Sequence, residues 1–449
     1  MLEPNVIPTT EPALRVGIVL SEDEEDSITI NIPSEPDYLM VSNDGNKYDL
    51  SSGDQIEFNL FESVISVLIN SKVIVESSSW SIKPMDIKYR IGNKTGIKVK
   101  DVISGRGFHW KKFLDVYLPG CVEVKRVGEK LILINELPIE QYLMCVATSE
   151  MGAACPETLI ESQTIVARSW MLANVEMKHR SLGFDVCNDD CCQRYQGTTH
   201  LTEQSIKGAL NTSGKVLMYS GKICDARYSK SCGGMMEAFE NVWGGKPVPY
   251  LKSIPDAPNG FSHQALPLIS EESVKKWIES SPETFCSPAF IHEKDLKKYL
   301  GNVDEEGEYF RWGFKYSQEE ITELFNEQLN LKAKAVKNIK PLKRGGSGRL
   351  GKLKIYYIKD DGSIDSREID DQYYIRKYFH KKFLYSSAFI IDEEKGAGDI
   401  PESFTFKGAG WGHGVGYCQI GALGMALKGY STENILNHYF PGSILKKIY

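Results

Sequence analysis

Cys187, Cys191 and Cys192, in the stretch FDVCNDDCCQRYQG, form a C-x3-C-C run. Thiolates bind zinc well, because the metal keeps them deprotonated and soft sulfur suits it. His179 or His200 could complete a four-ligand shell, and the alternative is three reduced thiols on a turn. Near the C-terminus, GAGWGHGVG places glycines at 410, 412, 414 and 416 around Trp411 and His413. Alternating glycines let a backbone lie against a ligand, and an indole face is a platform for a sugar ring. The same run could also be a tight turn with a buried Trp. A nucleotide-binding G-x-G-x-x-G reading lacks the βαβ context it requires. Ser273 and Lys276 have the S-x-x-K spacing of serine acyl-transferases. They lie in the charged helical pattern EESVKKW with no S-D-N or K-T-G partner, which reads as a solvated face.

The elements that must position these residues change character along the chain. Residues 1–13 read as a tail, and 14–135 as a strand-rich region of short apolar runs (RVGIVL, SITINI, SVISVLI, KLILINE) bounded by turn residues. From Pro138 the period becomes helical in PIEQYLMCVATSEM, with Ile139, Tyr142, Leu143 and Val146 in one stripe. A second helix follows in PETLIESQTIVARSWMLANVEMKH, and KVLMYSGKICDARYSKSC reads as a hairpin turning at Ser220-Gly221. Residues 136–260 form a central core. Residues 261–345 read as a charged helical insertion or cap, closed by the linker KRGGSGRLG. Residues 346–449 return strands and the glycine-rich loop to complete the core. The fold class is α+β.

Composition narrows the function. The chain has 449 residues, 41% hydrophobic and 25% charged, with a formal net charge of -7 and both signs interspersed. There is ample material for more than one core, and no basic stripe for nucleic acid. No apolar run approaches the roughly 20 residues of a membrane span. The N-terminus MLEPNVIPTTEPALRVG has no apolar core segment, so the chain as written reads as cytoplasmic, or as an envelope protein if its N-terminus was trimmed. Ten cysteines are too sparse for a disulfide scaffold, and Cys121 and Cys145 read as small core hydrophobes.

Four ordered segments together resemble the stage II sporulation protein D family, which includes proteins called amidase enhancers. They are LPIEQYLMCVATSEMGAACPETLIESQTIVARSWML, FDVCNDDCCQRYQG, ARYSKSCGG and GAGWGHGVGYCQIGALGMA. The resemblance implies lytic cleavage of peptidoglycan between N-acetylmuramic acid and N-acetylglucosamine, leaving a 1,6-anhydro end. A single carboxyl group suffices for this, because the substrate's C6 hydroxyl takes the place of the nucleophile or water that a second carboxylate normally handles. Glu150 matches the family's essential Glu. To start as an acid near pH 7 it needs apolar surroundings, and Met151, Gly152 and Ala153 suit a helix end opening on such a cleft. Its alternative role is decoration of a helix end.

The resemblance further implies that Arg168, Tyr228, Lys230 and Ser231 line the same cleft and hold sugar hydroxyls, acetamido groups or a carboxylate. Arg168 could instead pair with a helix carboxylate. His413 could orient Glu150 or a substrate hydroxyl. Relatives carry C-x3-H-C where this chain has Cys191 at the histidine position, and some bind zinc there. No cofactor is needed for the chemistry, and any zinc is expected to be structural. The implied partners are glycan strands or soluble muropeptides, together with a cell-wall amidase if the protein is a glycan-gripping helper.

Overall fold

Alternating apolar residues in the first 138 positions build two antiparallel sheets. The computed structural model describes residues 1–4, 6–86, 89–107, 111–152, 154–300, 308–396 and 399–449. The chain is α+β and divides into two units. The first comprises Met1–Asp225, Tyr299–Val303 and Leu445–Tyr449; the second comprises Ala226–Lys298 and Asp304–Ile444. The boundary at Asp225 falls inside the 136–260 span expected to be a single core.

In the first unit a seven-stranded sheet contains the strand Lys130–Pro138, antiparallel to Ala13–Val19 on one side and Cys121–Val127 on the other. Its residues alternate between two cores, as the two-residue period of a strand dictates. Leu131, Leu133 and Leu137 join the main core, while Ile132 and Ile134 join a small cluster with Leu20, Phe184 and Cys187. Each fully buried side chain of this kind contributes roughly 1.5–3 kcal/mol. The segment carrying the cysteines is thus seated on a hydrophobic base. Val186–Cys187 adds a short parallel edge strand beside Ala13–Val19.

Three helices follow: α1 (Ile139–Glu150), α2 (Glu157–Ala173) and α3 (Glu203–Asn211). Pro138 is the N-cap of α1. Except for Gln141 and Glu150, every residue of α1 is buried, and the helix contributes Ile139, Tyr142, Leu143 and Val146 to the main core. Its buried Thr148 and Ser149 hydroxyls donate back to the Cys145 carbonyl, which satisfies polar groups that burial would otherwise strand. The expected hairpin is present, with Ser220 and Gly221 both at positive φ.

The second unit corrects the reading of residues 261–345 as a helical cap. Helices span Glu271–Glu279, Glu293–Leu300 and Gln318–Leu329, but strands Arg311–Ser317 and Ala335–Arg344 are interleaved with them. Trp312, Phe314 and Tyr316 alternate with exposed Gly313, Lys315 and Ser317, and Arg311–Ser317 pairs with Pro401–Ala409. KRGGSGRLG is not a linker either. It joins two paired strands, and the backbone N–H groups of Gly346 and Ser347 and the Ser347 hydroxyl donate to the fully buried Glu237 carboxylate. Among the described residues no helix is long and apolar enough to cross a membrane.

Candidate functional site

The first unit brings Glu150 together with the cysteine segment. Glu150 ends α1 and is half-buried, next to buried Met151; Ala153 lies outside the described residues. At a helix C-terminus the macrodipole presents its negative pole, so a carboxyl there needs a compensating donor. The Arg194 backbone N–H supplies one, reaching Glu150 Oε1 at 3.0 Å. The Arg194 side chain is itself held by Asp190, 3.1 Å away.

Arg194 follows the three cysteines by two residues, and the turn they share is organised by Asp189. The Asp189 carboxylate accepts the backbone N–H groups of Gly105, Arg106 and Asp190, and its carbonyl accepts the Cys192 N–H at 2.9 Å. This folds Cys191 and Cys192 back over Cys187. Cys191 Sγ lies 3.0 Å from Cys187 Sγ, 3.8 Å from Cys192 Sγ and 3.6 Å from His179 Nε2. His179, stacked on Phe184 at 5.0 Å, is therefore the histidine that joins the thiols, and not His200. The four ligand atoms all lie within 4.8 Å of one another. Hydrogen bonds from Cys187 and Cys192, and the nearby His179, hold the Cys191 thiol far below its ordinary range, while the bond to Cys191 pushes Cys187 far up. Three soft sulfurs and an imidazole are the donor set that zinc prefers.

Arg168 takes the alternative open to it in the sequence, a pairing with a helix carboxylate. It is 0% exposed and makes a paired contact with Glu140, Nε to Oε1 at 2.9 Å and Nη2 to Oε2 at 2.6 Å. Its remaining bonds go to the Lys215 carbonyl and the Thr212 hydroxyl. Glu140 Oε1 also accepts the Gly214 N–H and the Tyr449 hydroxyl, so this network ties α1 and α2 to the C-terminus. A buried guanidinium engaged in this way is held away from any substrate. Glu140 carried no signal in the sequence beyond its place in a helical first turn.

Tyr228, Lys230, Ser231, Trp411 and His413 all belong to the second unit. Tyr228–Ser229 pairs in parallel with Tyr417–Cys418, and alternation leaves Tyr228 and Lys230 half-buried while Ser229 and Ser231 turn inward. Ser231 is 0% exposed and its hydroxyl accepts the Gly233 N–H, which removes it from the set of substrate contacts. Trp411 stacks on Tyr385 at 4.5 Å and lies against Tyr309 at 5.1 Å.

The alternating glycines meet protein and not ligand. A Cβ at Gly416 would lie 2.3 Å from the Arg227 carbonyl oxygen, and one at Gly414 would lie 2.4 Å from the Arg349 guanidinium carbon. All four glycines have positive φ, so the run is a close-packed structural turn. His413 belongs to that turn. Its Nδ1 accepts the Val415 N–H at 3.0 Å and the ring also hydrogen-bonds the Tyr228 backbone, so the expected roles in orienting Glu150 or a substrate hydroxyl give way to an internal one. Burial, together with Arg227, Arg349 and Arg376, pushes it down to about 3 and keeps it neutral.

Comparison with known proteins agrees with this division. A family described as stage II sporulation protein matches residues 127–219, which carry α1, α2 and the cysteine turn. A family described only as a domain of unknown function matches residues 237–416. An uncharacterized protein of Brachyspira hyodysenteriae is 25% identical over 84% of this chain and 83% of its own length. The amidase enhancer of Bacillus subtilis is 26% identical over 67% of this chain, which covers 39% of that protein. The stage II sporulation protein D of Bacillus amyloliquefaciens is 26% identical over 69% of this chain and 74% of its own length.

Proposed function

Because this chain belongs to the stage II sporulation protein D family, we propose that it is a cell-wall lytic transglycosylase with Glu150 as its acid and base. The observation that carries the reading is the placement of Glu150 at the end of a buried helix, half-buried and gripped by the Arg194 backbone N–H. In the reaction, protonated Glu150 gives its proton to the glycosidic oxygen as the bond to the muramoyl C1 breaks. The resulting carboxylate then takes the proton of the C6 hydroxyl, whose oxygen closes on C1. Glu150 ends protonated, no water is consumed, and a 1,6-anhydro end results.

His179, Cys187, Cys191 and Cys192 would hold a zinc ion in this reading. The ion would supply structure, locking the turn whose Arg194 N–H positions Glu150. Tyr228 and Lys230, half-buried in the second unit, are proposed as side chains that contact sugar.

The Bacillus subtilis relative named amidase enhancer favours a second reading, in which the chain grips glycan and assists a separate cell-wall amidase without cleaving it. The two readings part on one experiment. Purified full-length chain incubated alone with peptidoglycan should release soluble glycan. Release that appears only when an amidase is added would support the helper reading and remove the enzymatic one.

A further inference from the structure

A second cluster of metal-type ligands lies in the second unit, next to Ser231 and the strand Tyr417–Cys418. Cys232, Asp256, Cys286 and Cys418 are 2%, 0%, 3% and 0% exposed, and their ligand atoms all lie within 4.8 Å of one another. We infer that these four side chains form a closed structural site for one zinc ion, which ties the glycine-rich turn to the Tyr228–Ser229 strand.

The distances fit one tetrahedral ion. Thiolates about 2.3 Å and a carboxylate oxygen about 2.0 Å from such an ion stand roughly 3.5–3.8 Å from one another. Cys232 Sγ is 3.7 Å from Cys286 Sγ and 3.2 Å from Asp256 Oδ2. A multi-iron cluster, whose thiolates bind different irons, needs a wider cage.

The surroundings are arranged around negative charge. Asp256 is aimed by its other oxygen, which accepts the Tyr439 hydroxyl at 2.8 Å and faces His438 Nε2 at 3.2 Å, leaving Oδ2 turned to the sulfurs. Cys418 Sγ accepts the backbone N–H groups of Cys232 at 3.2 Å and Gly421 at 3.3 Å. It does so as the N-cap of the helix Gln419–Leu427, where the dipole favours a thiolate. A Cβ at residue 421 would lie 2.2 Å from Asp256 Oδ2, so the glycine there leaves the carboxylate its place.

Three thiolates, a carboxylate and one divalent ion leave a net charge of about −2 in a dry interior, which must be balanced nearby. Arg349 donates to the Cys232 carbonyl at 3.2 Å and Arg311 to the Gly233 carbonyl at 3.0 Å, bringing two guanidinium groups to the site. With all four ligands buried, no position is open to substrate, which marks the site as structural. It links residues up to 186 positions apart.

The test uses the full chain, produced without added metal or a metal-binding tag, with Cys191→Ser and Cys192→Ser removing two of the first cluster's four ligands. Elemental analysis should find about one zinc per chain, falling below about a tenth when Cys286→Ser is added. Cobalt in its place should give tetrahedral bands with thiolate charge transfer. Less than about a tenth of a zinc before the Cys286 change, or no fall after it, overturns the inference. If the Cys286 variant fails to fold, alkylation of the unsubstituted chain decides. Cys232, Cys286 and Cys418 should react only after chelation. Reactivity unaffected by chelator, or a Cys232–Cys286 disulfide in unreduced peptide maps, contradicts it.

Discussion

At one end of α1, Glu140 is 6% exposed and holds Arg168, the Gly214 N–H and the Tyr449 hydroxyl; at the other end, Glu150 is half-buried and accepts the Arg194 N–H. The same helix therefore carries two glutamates in different surroundings. A buried guanidinium pairs with the first, and a backbone N–H of a neighbouring turn reaches the second at the helix terminus. Burial, more than residue type, distinguishes Glu140, tied into the fold, from Glu150, to which we assign the chemistry.

The largest effect should come from Glu150→Gln, which keeps the shape but cannot exchange a proton. Glycan release should fall roughly 10²–10⁴-fold with the thermal midpoint unchanged. Retention of more than a few per cent of activity would return Glu150 to the role of helix decoration.

Arg168→Met should show the opposite pattern. Leaving Glu140 charged and unpaired costs about 3–5 kcal/mol of stability, read by denaturant unfolding, while KM in the protein that remains folded is unchanged. A raised KM at full stability would restore Arg168 to the substrate cleft and break the comparison.

Cys191→Ser should act on Glu150 at one remove. Loosening the Asp189 turn should lower activity about 10–100-fold, with a smaller change in stability than Arg168→Met. Full activity in a variant that binds no zinc at this cluster would uncouple the cysteine turn from Glu150.

The smallest effect concerns pH. His413 sits at about 3 in the folded chain, below its ordinary 6.5, so its contribution to stability is complete above pH 6.5 and is lost as pH falls from 6.5 toward 3. His413→Gln should flatten the decline of the thermal midpoint between pH 7 and pH 5. An unchanged slope would mean that the imidazole titrates freely.

Much of this was legible in the sequence where the cause is local. The helical period from Pro138, the hairpin at Ser220–Gly221 and the alternation of KLILINE each follow from neighbouring residues. What escaped depends on distant partners. KRGGSGRLG has a linker's composition, but Glu237 lies about 110 positions away and draws its N–H groups inward. The glycines from 410 to 416 suggested an approach to ligand, whereas the surfaces they approach are Ser231, Ser229, Arg349 and Arg227 in turn. Arg168 matches a family pattern faithfully, and its partner Glu140 stands 28 residues earlier with nothing to mark the pairing. The alternation of Trp312, Phe314 and Tyr316 was a readable strand signal, hidden between charged helices.

Whether one carboxyl group cuts glycan using the substrate's own hydroxyl is read from the ends that the cut creates. Purified glycan strands should be incubated with the chain alone in isotopically labelled water, and the products weighed by mass spectrometry. The products should carry 1,6-anhydro-muramoyl ends with no label, absent with Glu150→Gln. Reducing ends with labelled oxygen at C1, or intact strands with the unsubstituted chain, would contradict it.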